Sequence, residues 1–294
     1  MGAFKCPVVS SSLPPRVNYP APQNGLSRFF ALSSFDPERC VTTWAGPPWL
    51  LLIVRLVIMA YSLTAIITSW ILERQRPYRF WVFFTNLTYT GLVLYFLAAS
   101  IHSLIYVLRP KPRVPSSFLR QPRPFSYAFW FLYETLITFH VIVPTTFWIL
   151  LAKDVYKLNR IEYWRNLSVH GMDLVVMVIE GFLSRNNMAL SHFVACILLL
   201  LLYLCLAILN RYINNFWVYE FLNWERNGAG VTIGSYVGLI VFALVVYILW
   251  FLVHLVKNRY GDPLWERKWK EPLPAEAEAQ VNMEDLNKLD LPTQ

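Results

Sequence analysis

The chain has few charged residues and few cysteines, and it lacks the common metal-binding motifs. Of its 294 residues, 15% are charged, 56% are hydrophobic and 16% are aromatic, which is too apolar for an ordinary soluble domain. Cys6 and Cys40 precede the first apolar run, while Cys196 and Cys205 lie inside another, so no disulfide framework is predicted. No HExxH or CxxC occurs, and no histidine has another histidine at helical ligand spacing. We therefore expect neither a metal nor another cofactor.

The main feature of the sequence is a set of six long apolar stretches. A helix that crosses a ~30 Å hydrocarbon core needs about 20 mostly apolar residues, because unpaired backbone polar groups are not tolerated in lipid. The six stretches predict an all-α fold, a six-helix transmembrane bundle, with spans from Trp49 to Leu72, Phe80 to Leu108, Phe125 to Ala152, Trp164 to Leu183, Leu190 to Asn210 and Val231 to Val256.

The positive charge of the chain indicates how the bundle is oriented. The net charge is +8, but the lysines and arginines cluster at span ends, which favours a membrane protein over a nucleic-acid-binding one. More of them flank the spans on the side of the termini, so both termini are predicted to be cytoplasmic. We expect a disordered cytoplasmic segment over residues 1–46, a transmembrane domain over 47–260 and a disordered acidic cytoplasmic tail over 261–294. The expected location is the endoplasmic reticulum or the plasma membrane, and the oligomeric state stays open.

Three ionisable residues lie inside the spans toward the predicted cytoplasmic face. A charge in lipid costs a few kcal/mol and usually faces a partner or a cavity. Arg55 in span one is predicted to form a structural ion pair with Glu180 of span four or Glu134 of span three, which would fix the order of the helices. His140, near the middle of span three, is typical of a hydrogen-bonded core histidine.

A second polar group lies toward the opposite face. Thr85 and His170 are each about six residues inside their spans, which places both ~8–10 Å below that face at 1.5 Å per residue. Asp173 follows His170 by three residues and could orient its imidazole, as in a nucleophile, base and orienter set. Asn86 and Thr88 are candidate donors to an oxyanion. The alternative is that these hydroxyl and amide groups bond to nearby carbonyls or hold helices together.

Several motifs resemble one family of membrane proteins. They are FFTNLTY around Thr85, FWILLAKD at the end of span three, NLSVHGMD around His170 and WVYEFL from Trp217 to Leu222, together with Arg55 in span one. In this order they resemble the androgen-induced gene one family over residues 49–256. That family includes hydrolases of fatty acid esters of hydroxy fatty acids and an androgen-dependent regulator of tissue factor pathway inhibitor. The resemblance implies a threonine nucleophile at Thr85, a histidine partner at His170 and six spans with both ends cytoplasmic.

The sequence departs from the family's hydrolases at one site position. Those hydrolases have His where this chain has Asp173, so the orienting role of Asp173 comes from spacing and not from the resemblance. The TNLTY segment is also similar to a branch that contains the rolling stone cell-fusion protein.

Two functions follow from these observations. The first is a membrane-embedded threonine hydrolase that takes lipid esters from the bilayer. The alternative is a non-enzymatic multi-pass protein that acts in interaction, signalling or cell fusion. A transporter is disfavoured because the spans are not broken by glycine and proline in matching halves; Pro144 is the one proline well inside a span.

Overall fold

A computed structural model describes residues 24–109 and 117–268. Over these residues the chain is helical and contains no named strand. Six helices are long and apolar enough to cross a membrane, and we call them spans one to six: Pro48–Leu72, Phe84–Val107, Arg123–Lys157, Arg160–Leu183, Leu190–Asn214 and Ala229–Lys268. The predicted all-α six-helix bundle is therefore confirmed, whereas the cytoplasmic position of the termini stays a prediction.

The outer surface of the bundle is apolar. Large side chains such as Ile53, Val57, Leu94 and Leu202 are exposed on different spans. In water, exposed apolar residues spread over so many turns would favour aggregation, whereas hydrocarbon accepts them without cost. The spans and their surface define an integral multi-pass membrane protein.

Residues 24–46 form part of the fold, which differs from the disorder expected over residues 1–46. A short helix, Gly25–Phe29, starts at Asn24, whose side chain accepts a hydrogen bond from the Ser27 backbone N–H. Two turns of 3-10 helix follow before span one begins. This segment is held by contacts distant in sequence, which its Ser- and Pro-rich composition does not reveal.

Arg39 attaches this N-terminal segment to the rest of the chain. Its guanidinium donates to the backbone carbonyl of Arg185 at 2.8 Å and to the Asp262 carboxylate at 2.5 Å. The helix that carries Asp262 extends to Lys268 and buries Trp265, so it continues past the predicted boundary at residue 260. The disorder predicted for 1–23 and 269–294 lies outside the described residues.

Arg55 and Glu180 form a buried ion pair between spans one and four. Both side chains are 0% exposed, and Arg55 Nε and Nη2 lie 3.1 and 2.5 Å from the two Glu180 carboxylate oxygens. Arg55 Nη1 also donates to the Cys40 carbonyl at 2.8 Å and to Ser103 Oγ at 2.7 Å, while Tyr95 donates to Glu180 at 2.8 Å. Of the two carboxylates considered as partners of Arg55, the structure pairs it with Glu180.

Glu134 belongs to a separate network. Its carboxylate accepts a hydrogen bond from the Ala189 backbone N–H at 3.0 Å and another from the Tyr247 hydroxyl, and it lies 3.1 Å from His192 Nδ1. The His192 ring in turn bonds the Phe30 carbonyl at 2.6 Å. The network joins spans three, five and six to the N-terminal segment, which is the structural role expected of a buried carboxylate.

Candidate functional site

A cavity opens between the spans at the end of the bundle where span one ends and span two begins. Its volume is about 320 Å³, and most of its lining is apolar, including Ile142, Val143, Leu151 and Leu239. The size and the lining of this cavity are typical of a small-molecule site, in which apolar walls hold the ligand and a few polar groups orient it. The cavity also contains Thr85 and His170.

Thr85 lies at the very start of a helix. The predicted span began at Phe80, but the structure has a short helix, Pro77–Val82, then an extended residue, Phe83, and only then span two. Thr85 is therefore the second residue of span two instead of the sixth, and it is 8% exposed. Thr85 nevertheless stays inside the bundle, where it lines the cavity.

His170 lies in a distorted turn of span four. Residues Ser168–Met172 form a π-helical turn, and the φ and ψ of His170 are −133° and 21°, outside the helical range. A π turn leaves backbone carbonyls without their usual partners, and such turns are frequent at functional sites. Here the Trp148 indole N–H donates to the His170 carbonyl at 2.5 Å, so this carbonyl is satisfied within the bundle.

A second π turn lies directly against the first. Phe147–Leu151 continues span three as a π helix three residues after Pro144. The ring of Phe147 stacks on the imidazole of His170, with centroids 3.6 Å apart and planes 7° apart. Phe147 and Trp148 thus fix both the ring and the backbone of His170.

The His170 ring nitrogens are not used to hold the fold together. His170 is 8% exposed, and its Nδ1 is buried without a hydrogen-bond partner among the described residues. The other four histidines each bond through a ring nitrogen: His102 to Ser117, His140 to Asp173, His192 to Phe30 and His254 to Tyr133. Within the described part of the chain His140 Nε2 is also buried without a partner, so His170 differs from the other histidines in two other respects: its ring makes no hydrogen bond to a described residue, and it lines the cavity.

Asp173 is not where the spacing suggested. Its Oδ2 is hydrogen-bonded to His140 Nδ1 at 2.8 Å, and it is not among the residues that line the cavity. The i, i+3 rule assumes a regular α-helix, but the π turn at His170 inserts extra rotation before Asp173. Asp173 therefore orients His140 in the core, and His140 has the structural role expected of it.

Asn86 and Thr88 are both engaged with backbone carbonyls. The Asn86 side-chain amide donates to the Phe80 carbonyl at 3.0 Å, which ties the short helix to span two, although Asn86 still borders the cavity. The Thr88 hydroxyl donates to the carbonyls of Phe84 and Thr85, both at 3.1 Å, and Thr88 is not in the lining. Thr88 thus has the alternative role, a hydroxyl bonded to its own helix.

Several polar lining residues were not singled out from the sequence, among them Glu73, Arg165 and Tyr219. Glu73 and Arg165 line the cavity, with a carboxylate oxygen and a guanidinium nitrogen 3.9 Å apart. Tyr219 enters from the segment between spans five and six. Tyr219 belongs to the WVYEFL motif, which contributed to the family resemblance. Nothing in the sequence showed that this segment would lie beside span two.

These features define the class: an integral membrane protein of six spans with an apolar cavity that contains a threonine and a histidine whose Nδ1 has no hydrogen-bond partner among the described residues. A family model described as FAR-17a/AIG1-like protein matches residues 48–255, and the chain belongs to this family, the androgen-induced gene 1 family. The resemblance drawn from the motifs is therefore confirmed. Neither a curated protein nor a solved structure gives a significant match to the chain.

Proposed function

We propose that the protein hydrolyses lipid esters, with Thr85 as nucleophile and His170 as general base. The observation that supports this most directly is that one cavity contains both Thr85 and a histidine whose Nδ1 has no hydrogen-bond partner among the described residues. Threonine is a weak nucleophile unless a base removes its proton, and a neutral histidine is the usual base near neutral pH.

The proposed reaction has two steps. In the first, the imidazole of His170 takes the proton of Thr85 Oγ, and the oxygen attacks the ester carbonyl carbon. The tetrahedral intermediate collapses by breaking its bond to the alcohol oxygen, which receives the proton from the imidazolium, and the acyl group remains on Thr85. In the second step, water gives a proton to His170 and attacks the acyl carbon, which releases the fatty acid and returns the proton to Thr85.

The lining of the cavity supports a lipophilic substrate with an acidic end. Apolar walls suit acyl chains that enter from the bilayer. Arg165 contributes a guanidinium whose Nε is buried without a partner among the described residues, and its contact with Glu73 is long, at 3.9 Å. A free carboxylate on the ligand could form a charge-assisted hydrogen bond there. Fatty acid esters of hydroxy fatty acids carry both an internal ester and such a carboxylate, and we propose them as substrates.

The Thr85→Ala variant tests the proposed function. Membranes containing the wild-type protein should hydrolyse a branched fatty acid ester, and Thr85→Ala at equal folded level should not, because the nucleophile is gone. The matched control is Thr88→Ala, one turn along the same helix, whose hydroxyl bonds backbone carbonyls. It should retain turnover within a few-fold. A wild-type protein that is inert on a panel of lipid esters would instead support the non-enzymatic alternative.

The Arg165→Gln variant tests the proposed substrate class. We expect KM for an ester with a free carboxylate to rise about tenfold, because a charge-assisted hydrogen bond is lost. The methyl ester of the same lipid should keep its KM, since it carries no negative charge. Arg160→Gln, an exposed arginine in the same helix, is the control and should change neither value. Equal changes for the acid and its methyl ester would contradict carboxylate recognition.

A further inference from the structure

The cavity that contains Thr85 is small for the substrates proposed above. Its volume of about 320 Å³ lies at the lower end of the range for drug-sized ligands, which is roughly 300–1,000 Å³. A fatty acid ester of a hydroxy fatty acid has a long hydrocarbon chain on each side of its ester group, so it is larger than such a ligand. When the ester carbon lies at Thr85, part of the lipid must therefore extend out of the cavity.

A second cavity, also of about 320 Å³, lies between spans three and six. Its lining is almost entirely apolar and consists of Thr145, Thr146, Ile149 and Leu150 of span three and Phe242 of span six. Ile149 and Leu150 are 69% and 51% exposed, so this cavity is a groove on the outer surface of the bundle, where hydrocarbon surrounds the protein. We call it the lateral groove.

The lateral groove and the cavity are neighbours. Thr146 lines both of them. On span six, Leu239 lines the cavity and Phe242 lines the groove, and residues three apart lie next to each other on one face of a helix. The boundary between spans three and six therefore runs from the cavity that contains Thr85 to the membrane-facing surface.

The chemistry of the groove suits a hydrocarbon chain. The Thr145 hydroxyl donates to the Val141 carbonyl of its own helix at 2.7 Å, so it is not available to a polar ligand. The charged residues of the cavity lie at other helices, since Glu73 follows span one and Arg165 belongs to span four. The carboxylate end of a ligand is thus expected near Arg165, and the groove is left for the apolar chain on the other side of the ester.

We infer that the lateral groove holds the acyl chain of the lipid ester whose carbonyl lies at Thr85, and that this chain enters from the bilayer between spans three and six. The inference rests on the proposed function, because it takes the ligand of the cavity to be a lipid ester. Thr85 and His170 act on every ester that reaches them, whereas the groove determines which chain lengths are accepted. Leu150 and Phe242 are specificity-determining residues in this sense.

Thr145→Phe tests the inference by filling the groove with a larger side chain. Thr145 lines the groove but not the cavity, so the change leaves the proposed catalytic residues in place. The matched control is Thr64→Phe in span one. The Thr64 hydroxyl also donates to a carbonyl four residues earlier, that of Ala60 at 2.9 Å, and Thr64 is an exposed residue that lines neither cavity.

The substrates are para-nitrophenyl palmitate and para-nitrophenyl butyrate, assayed at matched folded level. A long chain that cannot enter the filled groove displaces the ester from Thr85, so Thr145→Phe should lower kcat/KM for the palmitate by roughly 10- to 10²-fold. The butyryl chain is short enough to stay within the cavity, and its kcat/KM should change by only a few-fold. Thr64→Phe should leave the ratio of the two values as in the wild type.

Leu150→Trp is the second variant, in case Thr145→Phe does not fold. Leu150 is 51% exposed on the membrane side, so a larger side chain there does not crowd the core, and the same loss of palmitate over butyrate is expected. Equal kcat/KM ratios in wild type, Thr145→Phe and Leu150→Trp would overturn the role of the groove while the hydrolase function stands.

Photo-cross-linking reports on the groove without turnover. The protein is Thr85→Ala, and the probe is a palmitate ester with a diazirine at the far end of the acyl chain. It should label the segment with Ile149 and Leu150 or the one with Phe242, and excess unlabelled ester should suppress the labelling, because a specific site saturates whereas a lipid-facing surface does not. Labelling that does not saturate, or that falls on other spans, overturns the inference. Saturable labelling here by a protein whose wild type hydrolyses no ester overturns the proposed function and leaves the groove as a lipid-binding site.

Discussion

Replacing Glu180 with glutamine is expected to lower the free energy of unfolding by about 3–5 kcal/mol, because Arg55 is then left buried without a counter-charge. Glu180 accepts hydrogen bonds from Arg55 Nε and Nη2 and from Tyr95, and all three side chains are completely buried between spans one, two and four. A neutral amide of the same size keeps the packing but cannot compensate the guanidinium charge. The measurement is denaturant unfolding of the purified protein in detergent micelles.

Two controls identify the cause of this loss. Arg55→Met combined with Glu180→Leu removes both charges and should recover most of the stability, since a buried pair replaced by apolar residues is often neutral or better. Glu225→Gln breaks the Arg211–Glu225 pair, in which the side chains are 25% and 54% exposed, and should change stability by less than about 1 kcal/mol. If Glu180→Gln unfolds at the same denaturant concentration as the wild type, the pair does not stabilise the bundle.

The sequence predicts the spans well because length and hydrophobicity set them directly. A stretch such as Pro48–Leu72 has no folded alternative in lipid, where every backbone group must be paired within the helix. The partner of Arg55 was harder to predict. Glu134 and Glu180 lie at similar depth in the membrane, and depth can be counted from residue number. Which helices are neighbours, and which face each turns to the other, depends on packing throughout the bundle. The sequence therefore left two partners, and the structure selects Glu180.

The site was predictable to the extent that it depends on depth. Thr85 and His170 line one cavity, although the helix of Thr85 starts later than the count of residues assumed. The departures occur where a helix is irregular. A break at Phe83 makes Thr85 the second residue of its helix, and a π turn at His170 directs Asp173 to His140. Hydrophobic periodicity assumes a regular helix, so it cannot register either feature.

Contacts made by loops were not predictable from pattern. Tyr219 lines the same cavity as Thr85 although it belongs to the connection between spans five and six, and Arg39 reaches Asp262 across 223 positions of the chain. A loop carries no periodicity that indicates which surface it covers. For this reason the sequence predicts disorder through residue 46. In the structure, Arg39 of this segment is buried.

The proposed mechanism makes its largest prediction for the Thr85 and His170 pair. We expect Thr85→Ala and His170→Gln each to lower kcat/KM by roughly 10³-fold or more, because a nucleophile and its base act in one step. The double variant should lose no more than the worse of the two single variants. Once the base is gone, the Thr85 hydroxyl keeps its proton and contributes little, so removing it adds almost nothing. The measurement is ester hydrolysis by the three variants at matched folded level.

Histidine replacement elsewhere in the bundle separates catalysis from structure. His140→Gln disturbs the bond to Asp173 in the core, so it should lower the melting temperature while the folded fraction keeps most of its turnover. His170→Gln should abolish turnover and leave the melting temperature nearly unchanged. The His170 ring makes no hydrogen bond to a described residue, and glutamine can fill much of the space against Phe147. If the Thr85 and His170 losses multiply in the double variant, the two residues act independently and the base role of His170 is wrong. If both single variants fail to fold, the polar pair holds spans two and four together, and the non-enzymatic alternative is favoured.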